Sequence, residues 1–96
     1  MVIVMANSKG GVGKSTLAVH LAAWLHEHGH QVILADCDPQ HSSSVWMKEA
    51  APEVKTVRLA GPEQILDRLP QLARQAEYVI ADGPGSNTRA YASRLL

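Results

Sequence analysis

The chain has 96 residues and a mass of 10.4 kDa, which is enough for one domain, and its 46% apolar share is typical of a folded globular protein. Nine Lys and Arg residues balance nine Asp and Glu residues, so the chain has no net charge and lacks a bulk basic surface for nucleic acid or anionic membranes. The single cysteine excludes an internal disulfide framework. The sequence has no basic leader, and no apolar run approaches the ~20 residues that a membrane span needs. We therefore expect a cytoplasmic domain without membrane association.

The first third of the chain alternates strand-like and helix-like patterns. Residues 2–6 form an apolar run rich in β-branched side chains, which is typical of a strand buried on both faces of a parallel sheet. After Ser15 apolar residues fall on one helical stripe, which consists of Leu17, Leu21, Trp24 and Leu25. Gly29 predicts the end of this helix, and residues 31–36 predict a second buried strand.

The middle of the chain contains weaker patterns. Residues 42–51 predict a short helix that closes at Pro52, and the serines at positions 42–44 suit its N-cap. Residues 55–59 alternate polar and apolar side chains, which predicts a strand near an edge of the sheet.

The last third predicts one more helix and one more buried strand. Residues 61–76 have helical periodicity, and Pro70 inside them is expected to kink or split the helix. Residues 78–82 read as a buried strand, and residues 86–96 resemble the opening of another helix. Strands and helices in this alternating order predict an α/β fold built on a parallel sheet.

A glycine-rich loop with two lysines, NSKGGVGKST at residues 7–16, joins the first strand to the first helix. Glycines at positions 10, 11 and 13 leave room for backbone N–H groups to approach a phosphate. The free N–H groups and positive dipole end of the following helix favour the same ligand. The predicted nucleotide-binding residues are Lys9, Gly10, Gly11, Val12, Gly13, Lys14, Ser15 and Thr16.

The residue types in this loop suit a nucleoside triphosphate. Lys14 would neutralise the β- and γ-phosphates, the Ser15 hydroxyl would bind Mg²⁺, and Thr16 would contact the α-phosphate. The G-x-x-x-x-G-K-[ST] pattern has glycine where this chain has Ser8, but its other positions match. The alternative, a glycine-rich turn with incidental lysines, is disfavoured because motif and strand–loop–helix context agree.

Two aspartates follow the second strand. Asp36 and Asp38 stand two residues apart, so we expect their side chains to leave on the same face. Carboxylates at the carboxyl ends of parallel strands converge on the crevice where α/β sheets bind ligands. Cys37 lies between them, and we interpret this thiol as structural because the neighbouring negative charges disfavour a thiolate.

The variant loop K-G-G-x-G-K-S-T resembles that of the ParA/MinD family of P-loop ATPases, whose hallmark is the early lysine, here Lys9. Two further segments are similar to family motifs: DCDPQ at residues 36–40, and the strand YVIAD with its GPG loop at residues 78–85. The D-P-Q segment favours the ParA branch of plasmid and chromosome partition proteins.

The resemblance implies a role for each matching residue. Lys9 would reach across an ATP-dependent homodimer to the partner's nucleotide, while Lys14 and Ser15 bind phosphate and Mg²⁺ within one subunit. Asp38 would orient the attacking water, which makes Lys9, Lys14 and Asp38 the predicted catalytic residues. Ser15, Asp36 and Asp82 would form the Mg²⁺ site, the aspartates through water.

The resemblance also implies an activity and partners. It predicts an ATPase that segregates plasmid or chromosomal DNA in the cytoplasm or on the nucleoid, with a ParB-type centromere-binding protein and non-specific DNA as partners. Alternatives are a truncated, non-enzymatic remnant that interacts with a longer relative, and a MinD-like cell-division or metal-cluster-insertion ATPase.

The family fold sets an expectation for the topology. Residues 1–96 would be the N-terminal part of a P-loop NTPase domain, truncated after the strand at residues 78–82 and the start of the next helix. The four strands would lie in the order third, second, fourth, first, which leaves residues 2–6 at an edge.

Other aromatic and titratable residues have simpler interpretations. The histidines near the end of the first helix, which are His26, His28 and His30, suit a solvated helix end better than a metal site. Trp24 and Trp46 are interpreted as packing residues rather than platforms for stacking bases.

Overall fold

The computed structural model describes residues 1–5 and 12–83, with residues 12–14 as backbone alone. Their elements are β1 (Val2–Met5), α1 (Val12–Glu27), β2 (Val32–Asp36), α2 (Ser42–Ala50), β3 (Lys55–Arg58), α3 (Gly61–Ala73) and β4 (Tyr78–Asp82). Residues 7–11 of the predicted loop, residues 84–85 of the predicted GPG loop and the predicted helix at residues 86–96 lie outside the described residues.

The four strands form one parallel sheet in the order β1-β4-β2-β3. This confirms the predicted strand order, and β1 and β3 are the edge strands. In the register, Asp82 at the end of β4 pairs with Asp36 of β2 on one side and with Met5 of β1 on the other. Two carboxylates therefore stand side by side at the carboxyl edge of the sheet.

The helices cover both faces of the sheet. Helices α1 and α2 share a core with the side chains of Val32, Leu34 and Ile80, while α3 packs on the opposite face with Ile33, Ala35 and Val79. Every residue of β2 is buried, as its continuous apolar run predicts. The β1 residues are only half-buried, contrary to the prediction of a strand buried on both faces, because β1 lies at an edge.

The buried face of α1 differs from the predicted stripe. Ala18, Ala22 and Leu25 face the sheet, whereas Leu17 is 57% exposed and Trp24 is 53% exposed. The small alanine side chains allow the helix to lie close to the sheet, which leaves the larger side chains outside. Trp46 on α2 is also 45% exposed, so the prediction that both tryptophans are packing residues was wrong.

Helix α3 runs unbroken through Pro70 and ends at Ala73, so the predicted split is not observed. Proline removes only one backbone donor, whose acceptor would be the carbonyl of Leu66. The side chains of Leu69 and Leu72 on either side of it are almost completely buried. Their packing holds the last turn of the helix against the sheet.

The histidines that follow α1 contact separate partners. Gly29 has a φ of 86°, the left-handed conformation expected where a helix ends. His28 Nδ1 lies 2.8 Å from the Trp24 carbonyl oxygen, and His30 Nδ1 lies 3.1 Å from Glu77 Oε2. His26 Nε2 is 4.0 Å from Oε1 of Glu53. The His26 and His30 contacts tie the end of α1 to the segments that precede β3 and β4, whereas the His28 contact stays within the end of α1.

Glu77 provides a pH-dependent contribution to stability. The His30 hydrogen bond, followed by the Gln31 backbone N–H, lowers the pKa of Glu77 below its ordinary value of 4.5. The contribution is therefore complete above pH 4.5 and is lost as the pH falls through the lower pKa of the folded state. We expect Glu77→Gln to be less stable than the wild type at neutral pH and to approach it in acid.

Urea denaturation at neutral pH and in acid measures the free energy of unfolding of Glu77→Gln and of the wild type. The control is Glu49→Gln, on the exposed face of α2. The control should track the wild type at both pH values. An unchanged gap between Glu77→Gln and the wild type in acid would contradict the assignment of the lowered pKa to Glu77.

Candidate nucleotide site

The predicted phosphate loop leads directly into α1. Lys9, Gly10 and Gly11 lie outside the described residues, and Val12, Gly13, Lys14, Ser15 and Thr16 form the first residues of the helix. The first N–H groups of a helix have no partner within the helix and carry its positive dipole end. The N-terminus of α1 therefore lies at the position where the motif predicts phosphate.

A buried hydrogen bond joins the start of α1 to the end of β4. Ser15 Oγ donates to Asp82 Oδ2 at 3.0 Å, although 67 residues separate the two along the chain. Ser15 is 8% exposed and Asp82 is fully buried. A hydroxyl that donates its proton keeps two lone pairs, so Ser15 can still offer oxygen to a cation.

The oxygen atoms around this contact fit Mg²⁺. Asp36 is fully buried beside Asp82 in the β2–β4 register, and carboxylate and hydroxyl oxygens are the protein ligands that Mg²⁺ takes. Within the described part of the chain, no three His, Cys, Asp or Glu side chains form a metal site by themselves. In general, Mg²⁺ binds through few protein groups together with waters and substrate phosphates.

Asp36 also anchors α2. Its Oδ2 accepts a hydrogen bond from the Ser44 backbone N–H at 3.0 Å, and its Oδ1 accepts one from the Asp38 N–H at 3.3 Å. The predicted serine N-cap was wrong, because the N-cap residue is His41 and Ser42–Ser44 begin the helix itself. The carboxylate of Asp36 supplies from the neighbouring strand the acceptor that the N-cap side chain does not.

Asp38 lies in a turn between β2 and α2. Its backbone carbonyl accepts a hydrogen bond from the His41 N–H at 2.9 Å, and its Oδ1 accepts one from the Gln40 N–H at 2.9 Å. Asp followed by Pro39 is a common start of such a turn. Strand β2 ends at Asp36, so the alternation that predicted a shared face for Asp36 and Asp38 does not continue to Asp38.

Three residues of this network carried no functional prediction. Arg58 Nε donates to Ser44 Oγ at 2.9 Å, and Ser44 Oγ donates to the His41 carbonyl oxygen at 3.1 Å. The alternation of polar and apolar residues in β3 placed Arg58 on the polar face, but nothing in the sequence indicates its partner on α2.

Cys37 is buried, in agreement with its structural interpretation.

Comparison with known proteins agrees with this geometry. The sequence pattern of the CobQ/CobB/MinD/ParA nucleotide-binding domain matches residues 3–86. The chain is similar to Protein ParA of Rhizobium radiobacter, with 51% identity over 45 residues, which cover 47% of this chain and 20% of that protein. Similarity extends to Chromosome-partitioning ATPase Soj of Thermus thermophilus, with 52% identity over 42 residues, covering 44% of this chain and 17% of Soj.

A longer match is to Protein IncC of Escherichia coli, with 42% identity over 59 residues, which cover 62% of this chain and 16% of IncC. The matched segments thus span a fifth or less of the length of these curated relatives. Within residues 1–5 and 12–83, no helix is both long enough and apolar enough to span a membrane.

Among solved structures, the BceF tyrosine kinase domain has a similar fold. Its TM-score is 0.63 at 21% sequence identity, and the match covers 98% of this chain and 51% of that domain. An identity this low supports the fold alone. The match over residues 3–86 shows that the chain belongs to the CobQ/CobB/MinD/ParA nucleotide-binding domain family, and the parallel sheet agrees with it.

Proposed function

We propose that the chain binds Mg²⁺ and ATP at the N-terminus of α1, as the nucleotide-binding part of a partition-type ATPase. The hydrogen bond from Ser15 Oγ to Asp82 Oδ2 carries this proposal. Ser15 follows Lys14 in the sequence, and this hydrogen bond joins its hydroxyl to a carboxylate from a distant strand. The contact is buried at the carboxyl end of the sheet. Burial of a carboxylate is costly unless it is paired or hydrogen-bonded, so its place beside this loop favours a ligand-binding role for the pair.

Each residue of the site has a defined task in this proposal. The N–H groups of Gly13, Lys14, Ser15 and Thr16 bind the phosphates, and the Lys14 ammonium neutralises their charge. Asp82 holds the Ser15 hydroxyl in place, and Asp38 orients a water for attack on the γ-phosphate. Bound Mg²⁺, held by Ser15 and by Asp36 and Asp82 through its waters, would neutralise charge on the phosphate oxygens.

The wider activity rests on the names of the relatives. ParA and the chromosome-partitioning ATPase Soj support a role in segregating plasmid or chromosomal DNA. In this proposal Lys9 contributes positive charge to the partner's ATP, so hydrolysis requires an ATP-dependent homodimer. A ParB-type protein and non-specific DNA are the proposed partners, in the cytoplasm or on the nucleoid.

Binding of a fluorescent ATP analogue with and without Mg²⁺ tests the site. For the wild type we expect tighter binding with Mg²⁺. Ser15→Ala should leave the metal-free affinity nearly unchanged and reduce the enhancement by Mg²⁺ about tenfold, because it removes an oxygen ligand. Ser42→Ala, at the partly buried start of α2, is the matched control and should behave as the wild type.

Two results would contradict this proposal. An enhancement by Mg²⁺ that survives in Ser15→Ala would show that the hydroxyl does not serve the metal. A wild-type chain that binds no nucleotide under either condition would favour the alternative of a non-enzymatic remnant.

A further inference from the structure

His41 has an unusual backbone conformation for its position. Its φ of 54° and ψ of 32° are left-handed, and no other non-glycine residue in the described part of the chain has a positive φ. N-cap residues normally have extended backbones and use their own side chain to cap the helix. His41 does neither, since its side chain makes no capping hydrogen bond.

The imidazole of His41 faces the Asp36 carboxylate. Its Nδ1 is buried and has no hydrogen-bond partner among the described residues, and it lies 3.6 Å from Asp36 Oδ2. This separation is slightly longer than a hydrogen bond, so a small rotation of the ring would close it. A ring nitrogen with its proton is a donor, and the carboxylate oxygen is the acceptor that it faces.

The other contacts of Asp36 come from the backbone of the same segment. Ser44 N–H donates to Oδ2 and Asp38 N–H donates to Oδ1, and His41 lies between these two donors in the chain. The left-handed residue His41 lies within the segment that returns the Ser44 N–H to this carboxylate. Oδ2 thus has the Ser44 N–H at 3.0 Å and Nδ1 of the His41 ring at 3.6 Å.

Resting on the proposed function, we propose that His41 is a positioning residue for the Mg²⁺ site. Its left-handed backbone shapes the turn that carries Asp38, and its ring holds the Asp36 carboxylate in the orientation that it has beside Asp82. A left-handed conformation costs less with glycine than with histidine. Retention of an imidazole at this strained position therefore points to a task for the ring itself.

Two substitutions separate the ring from the turn. His41→Gly accepts the left-handed backbone and removes the ring, whereas His41→Asn tolerates that backbone and restores a polar side chain. The measurement is the affinity for a fluorescent ATP analogue with and without Mg²⁺, together with the thermal melt of each variant without ligand.

We expect His41→Gly to bind the analogue without Mg²⁺ as the wild type does and to lose about tenfold of the enhancement by Mg²⁺. His41→Asn should recover most of that loss, and the melts of both variants should remain cooperative.

The proposal is overturned if His41→Gly keeps the full enhancement. It is equally overturned if both affinities fall together with the melting temperature, because that pattern indicates a purely structural residue. A wild type without any enhancement by Mg²⁺ overturns the proposed function as well. If Mg²⁺ enhances the affinity of the wild type and enhances that of His41→Gly equally, only the role of His41 is overturned.

Discussion

Replacement of Lys14 by alanine should abolish the stabilisation that Mg²⁺ and a slowly hydrolysed ATP analogue confer on the chain. A ligand at a hundred times its Kd adds about 2.7 kcal/mol to the free energy of unfolding. For a domain of this size, that corresponds to a rise of roughly 10–20 °C in Tm. Lys14 follows the glycines of the motif in the sequence and belongs to the first turn of α1, where the motif predicts the triphosphate. Without it, we expect no more than a few degrees of shift.

Two further lysine variants make this experiment specific. Lys48→Ala, on the exposed face of α2, removes the same charge far from the motif and should keep the full shift. Lys9→Ala should keep the shift at low protein concentration but lose ATP-dependent dimerisation, measured by analytical ultracentrifugation, because Lys9 is proposed to serve the partner's nucleotide. If Mg²⁺ and the ATP analogue raised the Tm of Lys14→Ala as much as that of the wild type, the proposed phosphate site would be wrong.

Replacement of Asp36 by alanine should destabilise the fold itself, with or without nucleotide. The substitution leaves the Ser44 and Asp38 N–H groups without their acceptor at the buried start of α2. Hydrogen bonds to a charged group and a lost helix cap are together worth about 2–4 kcal/mol. We expect a loss of this size in the free energy of unfolding, measured by urea denaturation without ligand.

Asp67→Ala is the matched control, because Asp67 lies exposed on α3 and should change the free energy of unfolding by less than about 0.5 kcal/mol. Asp36→Asn keeps one acceptor oxygen and should fall between alanine and the wild type. If Asp36→Ala were as stable as Asp67→Ala, the carboxylate would not anchor α2, and its burial would have to be explained by ligand binding alone.

The double role of Asp36 connects stability with the proposed chemistry. The same carboxylate caps α2, positions the turn with Asp38 and stands beside Asp82 at the end of β4. Changes at this position are therefore expected to alter both folding and nucleotide binding. Ser15→Ala is the cleaner test of the Mg²⁺ site, because among the described residues Ser15 Oγ makes a single hydrogen bond between α1 and β4, whereas the Asp36 carboxylate accepts two from the backbone around the start of α2.

The sequence by itself indicated the element types, the parallel sheet and the family, and the strand order followed from the resemblance to that family. Continuous apolar runs identify β2 and β4 because both faces of a central parallel strand are buried. The glycines and lysines of residues 9–14 predict a phosphate loop because few other residue types let a backbone enclose a phosphate. These signals are local, so they can be read without knowing what packs against them.

Only the tertiary structure decided which side chains meet. The contact of Ser15 with Asp82 joins residues far apart in the chain, and the capping of α2 by Asp36 replaces the serine cap that local preference favoured. The choice of Ala18 and Ala22 over Leu17 for the buried face of α1 depends on how closely the helix approaches the sheet. The space and the hydrogen-bond partners that other elements provide decide which side chains are buried and paired. A local sequence pattern does not contain this information.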